Sequence, residues 1–175
     1  MAADIRASVA KSSDIEEIKD LLWKTAHWLQ QQGSTQWSAL LNGNDVHGTE
    51  NAVNNENVFI FRKRAALAGM VILFTEPSEW DHTLWEDADT ASAIYLHRLA
   101  INRDFAGEQL GTKMMGWVET GILLKGKACI RLDCVANNPA LNTFYQRQGY
   151  QLKGEKNGFH KYEKKLAKTH PLNLP

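Results

Sequence analysis

Residues 93–111 read AIYLHRLAINRDFAGEQLG, and this stretch decides the fold. Its first half, residues 93–101, is mostly apolar, as expected of a strand buried in the middle of a sheet. A polar loop containing Gly107 follows and opens into an amphipathic helix with Leu110 and Met114 on its apolar face. The first N–H groups of a helix are unpaired and lie at the positive end of its dipole. The loop therefore predicts a site for an anion.

The residues that follow predict a parallel β-α-β unit and then a capped helix. Residues 128–135 alternate apolar and polar side chains like a strand, and a strand–helix–strand connection of this kind is right-handed. Asn138 then stands at the N-cap of a helix, with Pro139 at its first position and Gly149 at its end.

The remaining segments place further strands around this unit. Ser13 and Glu16 form a capping-box pattern for a helix over 13–33, and residues 76–90 are expected to form a loop. Strands are expected over 5–9, 58–61, 67–74, 150–153 and 159–166. The predicted fold class is α/β (α+β), a mixed, mostly antiparallel sheet with a central parallel β-α-β unit and helices on both faces. We expect one domain over residues 1–167 and a loose C-terminal tail over 168–175.

Composition narrows the partners and the compartment. Twenty Lys and Arg residues balance twenty Asp and Glu residues, so the charge does not favour nucleic acid or an anionic membrane surface. The N-terminus lacks the apolar core of a signal peptide, and no apolar run approaches the roughly 20 residues of a membrane helix. Cys129 and Cys134 fall on opposite faces of one strand, which disfavours a disulfide between them. We therefore expect a cytoplasmic protein with no nucleic acid and no membrane partner.

Other kinds of site find little support in the sequence. The six histidines include no pair at ligand spacing and the cysteines no C-x-x-C arrangement, so no metal site is expected. The glycine patterns of nucleotide-binding loops and of a serine nucleophile elbow are missing as well.

Two stretches resemble the motifs of the GNAT family, the N-acetyltransferases that use acetyl-coenzyme A. Residues 95–115, YLHRLAINRDFAGEQLGTKMM, are similar to its strand-loop-helix cofactor motif. Residues 131–150, RLDCVANNPALNTFYQRQGY, are similar to its second motif, in which an Asn precedes a Tyr by seven residues. The loop pattern of the family, [Q/R]-x-x-G-x-[G/A], falls on Ala106, Gln109 and Gly111, and only Gly111 conforms. We expect cofactor binding to be retained, because the N–H group of Gln109 remains.

The resemblance implies a site for acetyl-coenzyme A. Its pantetheine arm is expected to pair with backbone groups of Leu99, Ala100 and Ile101 as an added strand. Its pyrophosphate is expected to lie against the N–H groups of Ala106, Gly107, Glu108, Gln109, Leu110, Gly111 and Thr112. Asn138, Asn142 and Tyr145 complete the predicted cofactor site.

The resemblance also implies catalytic roles. Tyr145 is the candidate general acid that protonates the departing thiolate, although it can instead simply pack beside Phe144. His97 is the candidate base or substrate contact, because an unperturbed histidine has a pKa of about 6.5. Regular alternation places His97 on one strand face with Tyr95, Leu99 and Ile101. The alternative for His97 is a buried, hydrogen-bonded histidine.

Further residues are assigned to the acceptor and to structure. Trp37, Tyr95 and His97 are predicted to contact the acceptor, and Trp28 and Trp80 to wall its pocket. Arg98 is expected in a structural ion pair. The strand over 93–101 carries no carboxylate.

These patterns favour transfer of an acetyl group from acetyl-coenzyme A to a primary amine of a small molecule or peptide N-terminus. Direct attack in a ternary complex is expected, because neither cysteine lies in a setting that activates a thiol. One alternative is a non-catalytic module that binds or senses acyl-coenzyme A, and another is an unrelated α/β fold with a generic anion loop. A homodimer through the C-terminal strand over 159–166 is left open.

Overall fold

A computed structural model describes residues 5–86, 89–120 and 126–167. The described residues form seven strands: β1 (Ile5–Val9), β2 (Val58–Lys63), β3 (Ala66–Phe74), β4 (Ala93–Ile101), β5 (Cys129–Val135), β6 (Gln151–Lys156) and β7 (Phe159–Lys165). They lie in one sheet in the order β1-β2-β3-β4-β5-β7-β6. Within this described sheet, β4 and β5 are parallel and the other neighbours antiparallel, which confirms the predicted fold class. The predicted tail over 168–175 lies outside the described residues.

Helices cover both faces of the sheet, as predicted. They are α1 (Ile15–Gln31), α2 (Ser38–Leu41), α3 (Thr49–Asn54), α4 (Glu79–Trp85), α5 (Leu110–Thr120) and α6 (Pro139–Arg147). On one face, Ile18 and Leu22 of α1 join a buried cluster with Ile60 of the sheet. On the other, Met114 of α5 and Tyr145 of α6 join a second cluster. None of the described helices is both long enough and apolar enough to cross a bilayer.

Two helix starts differ from the sequence prediction. The first helix begins at Ile15, two residues after the expected cap at Ser13, because a 3-10 turn over Ser12–Asp14 precedes it, with the Asp14 carboxylate accepting the Lys11 N–H at 2.8 Å. Residues 76–90 are not a continuous loop, since α4 lies within them. Ser78 and Asp81 cap this helix reciprocally: Ser78 Oγ accepts from the Asp81 N–H at 3.2 Å, and Asp81 Oδ2 accepts from the Ser78 N–H at 2.9 Å.

A β-bulge interrupts β4 in front of the site. Between the positions at which His97 and Ala100 pair with β3, two residues of β4, Arg98 and Leu99, face one residue of the neighbouring strand. Arg98 adopts the left-handed conformation, with φ of 53°. An inserted residue of this kind inverts the alternation of side chains beyond it.

The bulge corrects the predicted strand face of His97. Tyr95 and His97 share one face, but Leu99 and Ile101 pack with Leu96 in the cluster on the opposite face. Nothing in the residue pattern indicates the extra residue, because a strand is expected to alternate its side chains regularly. The side chains of Leu99 and Ile101 therefore point to the side of the sheet opposite His97, whereas Ala100 packs in the cluster on the His97 side.

The parallel pair at the centre of the sheet is short. β4 and β5 pair at three positions, of which the last is Tyr95 opposite Arg131. From Leu96 onward, the edge of β4 that faces β5 has no paired strand among the described residues. The two strands therefore leave a slot between their carboxyl ends.

The C-terminal strand is not available for pairing between copies of the chain. β7 pairs with β5 along one edge and with β6 along the other, so its ladder is occupied within the chain. The free edge on this side is β6, where Lys153 and Lys156 are the kind of side chains that protect a sheet edge. The homodimer through residues 159–166 stays a prediction, and a contact there would use side chains of β7, because its backbone edges are paired within the chain.

Candidate active site

A cavity of about 430 Å³ lies at the slot between β4 and β5. One side is lined by slot residues, namely Leu99, Ile101, Val135, Leu141 and Tyr145. The other side is largely aromatic, with Trp28, Trp37, Trp80 and Phe159. Polar groups converge on it from His47, His97, Arg98 and Asp133. An apolar cavity with a few convergent polar groups is the usual form of a small-molecule site.

Five of the predicted site residues line this cavity, namely Trp37, His97, Leu99, Ile101 and Tyr145, but Tyr95 does not. Its ring is fully buried in a core cluster with Leu84, Trp85 and Cys129. Its hydroxyl accepts a hydrogen bond from Arg131 Nη1 at 3.2 Å. The physical reason is register: Tyr95 occupies the last paired position of β4, before the slot opens. Tyr95 is therefore a core residue, and the predicted contact between Tyr95 and the substrate is not supported by its position.

Tyr145 reaches the cavity because α6 starts where it does. The Asn138 Oδ1 atom accepts from the Leu141 N–H at 3.1 Å, which confirms Asn138 as the N-cap. Two turns later the Tyr145 ring is buried edge-on to Phe144, with ring centroids 5.2 Å apart. Its hydroxyl makes no hydrogen bond with the described residues. Burial raises the pKa of this phenol far above its usual value, so the group stays protonated at neutral pH.

Asn142 has a structural role, because both the oxygen and the nitrogen of its side-chain amide are hydrogen-bonded within the protein. Its Oδ1 atom accepts from Tyr162 Oη at 2.7 Å and lies 2.6 Å from His160 Nδ1. Its Nδ2 atom donates to the carbonyl groups of Val135 at 3.1 Å and Asn138 at 2.8 Å. The side chain ties α6 to β5 and β7, and its assignment to the cofactor stays a prediction.

His97 belongs to a buried polar cluster. Its Nε2 atom lies 3.0 Å from Asp81 Oδ2. Burial alone raises the pKa of Asp81, but hydrogen bonds from His97 and Ser78 outweigh it, and the net pKa is lowered. The His47 ring lies against the His97 ring, with centroids 4.5 Å apart. His97 is thus both hydrogen-bonded in the interior and in contact with the cavity.

Asp133 is the site residue that sequence reasoning missed. Its Oδ1 atom accepts from Trp80 Nε1 at 3.1 Å, and it is the one carboxylate among the described residues that line the cavity. Burial raises its pKa to about 6. In the sequence it looks like an ordinary polar residue of an alternating strand. The usable signal was its position, on the strand that forms the second wall of the slot.

Three side chains from three elements converge here. Ligand atoms of Asp81 on α4, His97 on β4 and Asp133 on β5 all lie within 4.8 Å of one another. Ligand spacing along the sequence does not detect such a group, because its members are far apart in the chain. Hydrogen bonds join His97 to Asp81 and Trp80 to Asp133, and clustered histidine and carboxylate groups of this kind are chemically able to transfer protons.

The predicted anion loop has the backbone geometry that an anion needs. Gly107 and Gln109 are both left-handed, with φ of 84° and 54°. The N–H groups of Gly107 and of residues 109–112 make no hydrogen bond with the described residues. Gln109 thus holds, without glycine, the conformation that glycine favours.

Gly111 has a packing reason of its own. A Cβ at this position would lie 3.1 Å from Ile101 Cδ1 and 3.2 Å from Phe144 Cζ. The glycine therefore lets α5 approach both β4 and α6. Ala106 and Thr112 are exposed beside the loop, while Glu108 is bonded to Lys63 at 2.5 Å.

Comparisons with known proteins agree with this architecture. The family model described as an acetyltransferase (GNAT) domain matches residues 54–152. An uncharacterized N-acetyltransferase of Bacillus subtilis, YesJ, is 47% identical over 162 residues, which cover 92% of this chain and 90% of that protein. The fold and its slot define an acetyltransferase of the GNAT class, and the chain belongs to the GNAT family.

Solved structures share the fold. A GNAT-family acetyltransferase from Listeria monocytogenes is 42% identical, with a TM-score of 0.80 over 93% of this chain and 95% of that one. The PaiA N-acetyltransferase of Thermoplasma acidophilum, solved in complex with coenzyme A, is 15% identical, with a TM-score of 0.72 over 92% of this chain and 98% of that one. The alternative of an unrelated α/β fold is therefore wrong.

Proposed function

We propose that this protein transfers the acetyl group of acetyl-coenzyme A to a primary amine of a small molecule or peptide N-terminus by direct attack in a ternary complex. The observation that carries the proposal is the unpaired edge of β4, which opens onto a cavity containing a buried, protonated phenol and a carboxylate cluster. The free strand edge suits an extended ligand, and the polar groups suit proton transfer.

The residues present fit a coenzyme A ligand. Backbone groups of Leu99, Ala100 and Ile101 on the open edge of β4 would pair with the pantetheine arm. Unpaired N–H groups of Gly107 and of residues 109–112 would hold the pyrophosphate. When bound, the cofactor supplies an activated acetyl thioester. That PaiA, a protein of the same fold, was solved in complex with coenzyme A supports this assignment.

Tyr145 acts as the general acid. The attacking amine nitrogen forms a bond to the acetyl carbon as the carbon–sulfur bond breaks, and the electron pair goes to sulfur. The Tyr145 hydroxyl donates a proton to that sulfur. Its raised pKa keeps the proton available across the physiological range, and the described residues offer its hydroxyl no other hydrogen-bond partner that would hold it away from the ligand.

The cluster of Asp81, His97 and Asp133 prepares the amine. An amine in water is mostly protonated, and the Asp133 carboxylate attracts that cation into the cavity. His97, oriented by its hydrogen bond to Asp81, takes the proton that the amine must lose before it attacks. Above pH about 6 the Asp133 carboxylate is ionised and the cluster is ready to accept a proton.

Release of free thiol from acetyl-coenzyme A, measured across a panel of primary amines, tests the proposal. We expect turnover that depends on the amine and an acetylated product of matching mass. The alternative of a non-catalytic acyl-coenzyme A sensor predicts coenzyme A binding by calorimetry with no thiol release for any amine. Such a result would overturn the enzymatic proposal while leaving the cofactor site in place.

A further inference from the structure

Arg98 is a buried cation with little within the protein to neutralise it. Its side chain is 2% exposed, lines the cavity and lies over the Trp37 ring, with 5.1 Å between the guanidinium carbon and the ring centroid. The Nε and Nη1 atoms have no hydrogen-bond partner among the described residues. The Nη2 atom is 3.6 Å from Asp45 Oδ1, which is too long for a hydrogen bond. The predicted structural ion pair exists, but it engages one nitrogen of three.

Asp45 is itself engaged elsewhere. Its carboxylate accepts backbone N–H groups of Thr49 at 2.7 Å and of His47 at 3.3 Å, so it serves mainly to hold the loop before α3. Because arginine does not deprotonate in proteins, the charge of Arg98 stays in the interior. Burying a charge without full hydrogen bonding is costly, and groups of this kind concentrate at binding sites.

Other unpaired atoms lie in the same wall of the cavity. Gln36 Oε1 and His47 Nδ1 are buried without a partner among the described residues, and both residues line the cavity. Burial, followed by the nearby charges of His97 and Arg98, lowers the pKa of His47 to about 3, so this ring is neutral. Arg98 is therefore the buried positive charge of this wall, and the other arginine of the cavity lining, Arg103, is exposed and lies over the Trp28 ring.

The opposite charge in the cavity lining is the Asp133 carboxylate. Asp133, bonded to Trp80, lies on β5, whereas Arg98, stacked on Trp37, lies at the bulge of β4. His97 connects the two regions, because its ring lies 4.5 Å from the His47 ring and its ligand atom lies within 4.8 Å of that of Asp133. A ligand that contacts both charged groups carries a cationic amine and an anionic group, and its apolar body suits the aromatic lining.

We propose that the acceptor amine is an apolar or aromatic amino acid whose carboxylate binds Arg98 Nε and Nη1 while its amino group faces Asp133 and His97. This inference rests on the proposed acetyltransferase function and specifies its substrate class. Arginine is well suited to the task, because its charge-assisted hydrogen bonds to carboxylates are strong and directional.

Matched acceptors that differ at one group test the proposal on the wild-type protein. The series are phenylalanine, phenylalaninamide and 2-phenylethylamine, and leucine, leucinamide and 3-methylbutylamine. We expect kcat/KM for each carboxylate to exceed that of its amide and of its decarboxylated amine by about tenfold or more, mostly through KM. Equal values within each series would overturn the proposal while leaving the acetyltransferase function intact.

A binding measurement distinguishes carboxylate recognition at Arg98 from acetyl transfer. Calorimetry of N-acetylphenylalanine and N-acetyl-2-phenylethylamine, with coenzyme A present, reports carboxylate recognition without turnover. If no amine is acetylated but the carboxylate is bound preferentially, the acetyltransferase proposal fails and the Arg98 subsite stands. If neither compound binds better than the other, the subsite fails whatever the turnover.

Variants of Arg98 test whether this residue causes the preference for carboxylated acceptors. Arg98→Gln should reduce binding and kcat/KM of the carboxylated acceptors to the level of their amides while coenzyme A affinity is unchanged. Arg98→Lys should keep part of the preference, and Arg6→Gln, an exposed position on β1, should keep all of it. Because the buried charge is poorly paired, we expect folded Arg98→Gln to melt no lower than the wild type. A preference that survives in Arg98→Gln would overturn the assignment, and the wild-type series decides if that variant does not fold.

Discussion

In the proposed mechanism, position alone distinguishes Tyr145 from the other buried tyrosine of this region. Tyr145 and Tyr150 are both buried near the end of α6, and burial raises the pKa of each phenol. Tyr145 lines the cavity and Tyr150 does not. The two residues therefore form a natural pair in which burial is shared and access to the ligand differs.

Replacing Tyr145 with phenylalanine should lower kcat by about 100-fold, the usual contribution of one general acid, and leave coenzyme A affinity nearly unchanged. Steady-state thiol release and calorimetry measure the two quantities. Tyr150→Phe is the matched control and should retain turnover. If Tyr145→Phe turns over like the wild type, this hydroxyl has no part in proton transfer.

Protonation of the Asp133 carboxylate should change both kcat/KM and the free energy of unfolding. Its pKa is raised from 3.8 to about 6, so kcat/KM should fall as the pH drops through about 6 and the carboxylate takes up a proton. Because the folded state holds this proton more tightly than the unfolded state, the stabilising effect of that proton is present at pH below 3.8 and is lost as the pH rises through about 6.

Asp133→Asn should remove the acidic limb from the pH profile, lower kcat/KM, and raise the free energy of unfolding at pH 8 by about 1 kcal/mol. Chemical denaturation at pH 5 and pH 8 together with pH–rate profiles measures these effects. Asp20→Asn, at an exposed surface pair with Lys24, should change neither. An unaltered pH profile in Asp133→Asn would assign the acidic limb to another group.

Among the secondary-structure elements, the sequence predicted best those whose ends are marked by caps, proline or glycine. The strand at 93–101, the helix that follows and the Asn138–Pro139 helix start were all predictable, because long apolar runs and local caps determine them. The bulge at Arg98 and the short helix α4 were not predicted. One inserted residue has no local signature in the sequence, and a helix of seven residues is too short to show clear periodicity.

At α6 the cap and the cofactor contact of Asn138 can be separated by experiment. Asn138→Ser keeps an oxygen for the Leu141 N–H, whereas Asn138→Ala removes it and should cost about 1 kcal/mol of stability. We predict that Asn138→Ser melts like the wild type but binds coenzyme A several-fold more weakly, as measured by thermal denaturation and calorimetry. The exposed neighbour variant Asn137→Ser is the control. Full coenzyme A affinity in Asn138→Ser would leave this residue with the capping role alone.

For the molecule as a whole, the site was hidden because it is assembled from distant segments. Asp81, His97 and Asp133 come from α4, β4 and β5, and Trp37 and Arg98 meet across α2 and the bulge. No spacing along the chain encodes these contacts, since they depend on how the layers pack. The family motif predicted a place for the cofactor, but the residues on the other side of the cavity could be identified only from the three-dimensional structure.

The sheet also has a weak seam at its centre. Three paired positions between β4 and β5 join the first four strands to the last three, and the slot begins directly beyond them. A ligand that pairs with β4 inside this slot lengthens the seam and connects both halves. Coenzyme A binding should therefore stabilise the whole sheet against unfolding, and its effect should not be limited to ordering the loop at residues 107–112.

Amide hydrogen exchange with and without coenzyme A tests this coupling. We predict slower exchange at two separate places, residues 99–101 on the open edge of β4 and residues 107–112 at the start of α5. Stabilisation at a ligand concentration 100 times Kd should be about 2.7 kcal/mol. Amides of β7, paired on both sides, should change only in step with global stability, which makes them the internal reference. Protection confined to the loop would mean that the pyrophosphate binds while the slot stays empty, and the strand-pairing model of the cofactor would then be wrong.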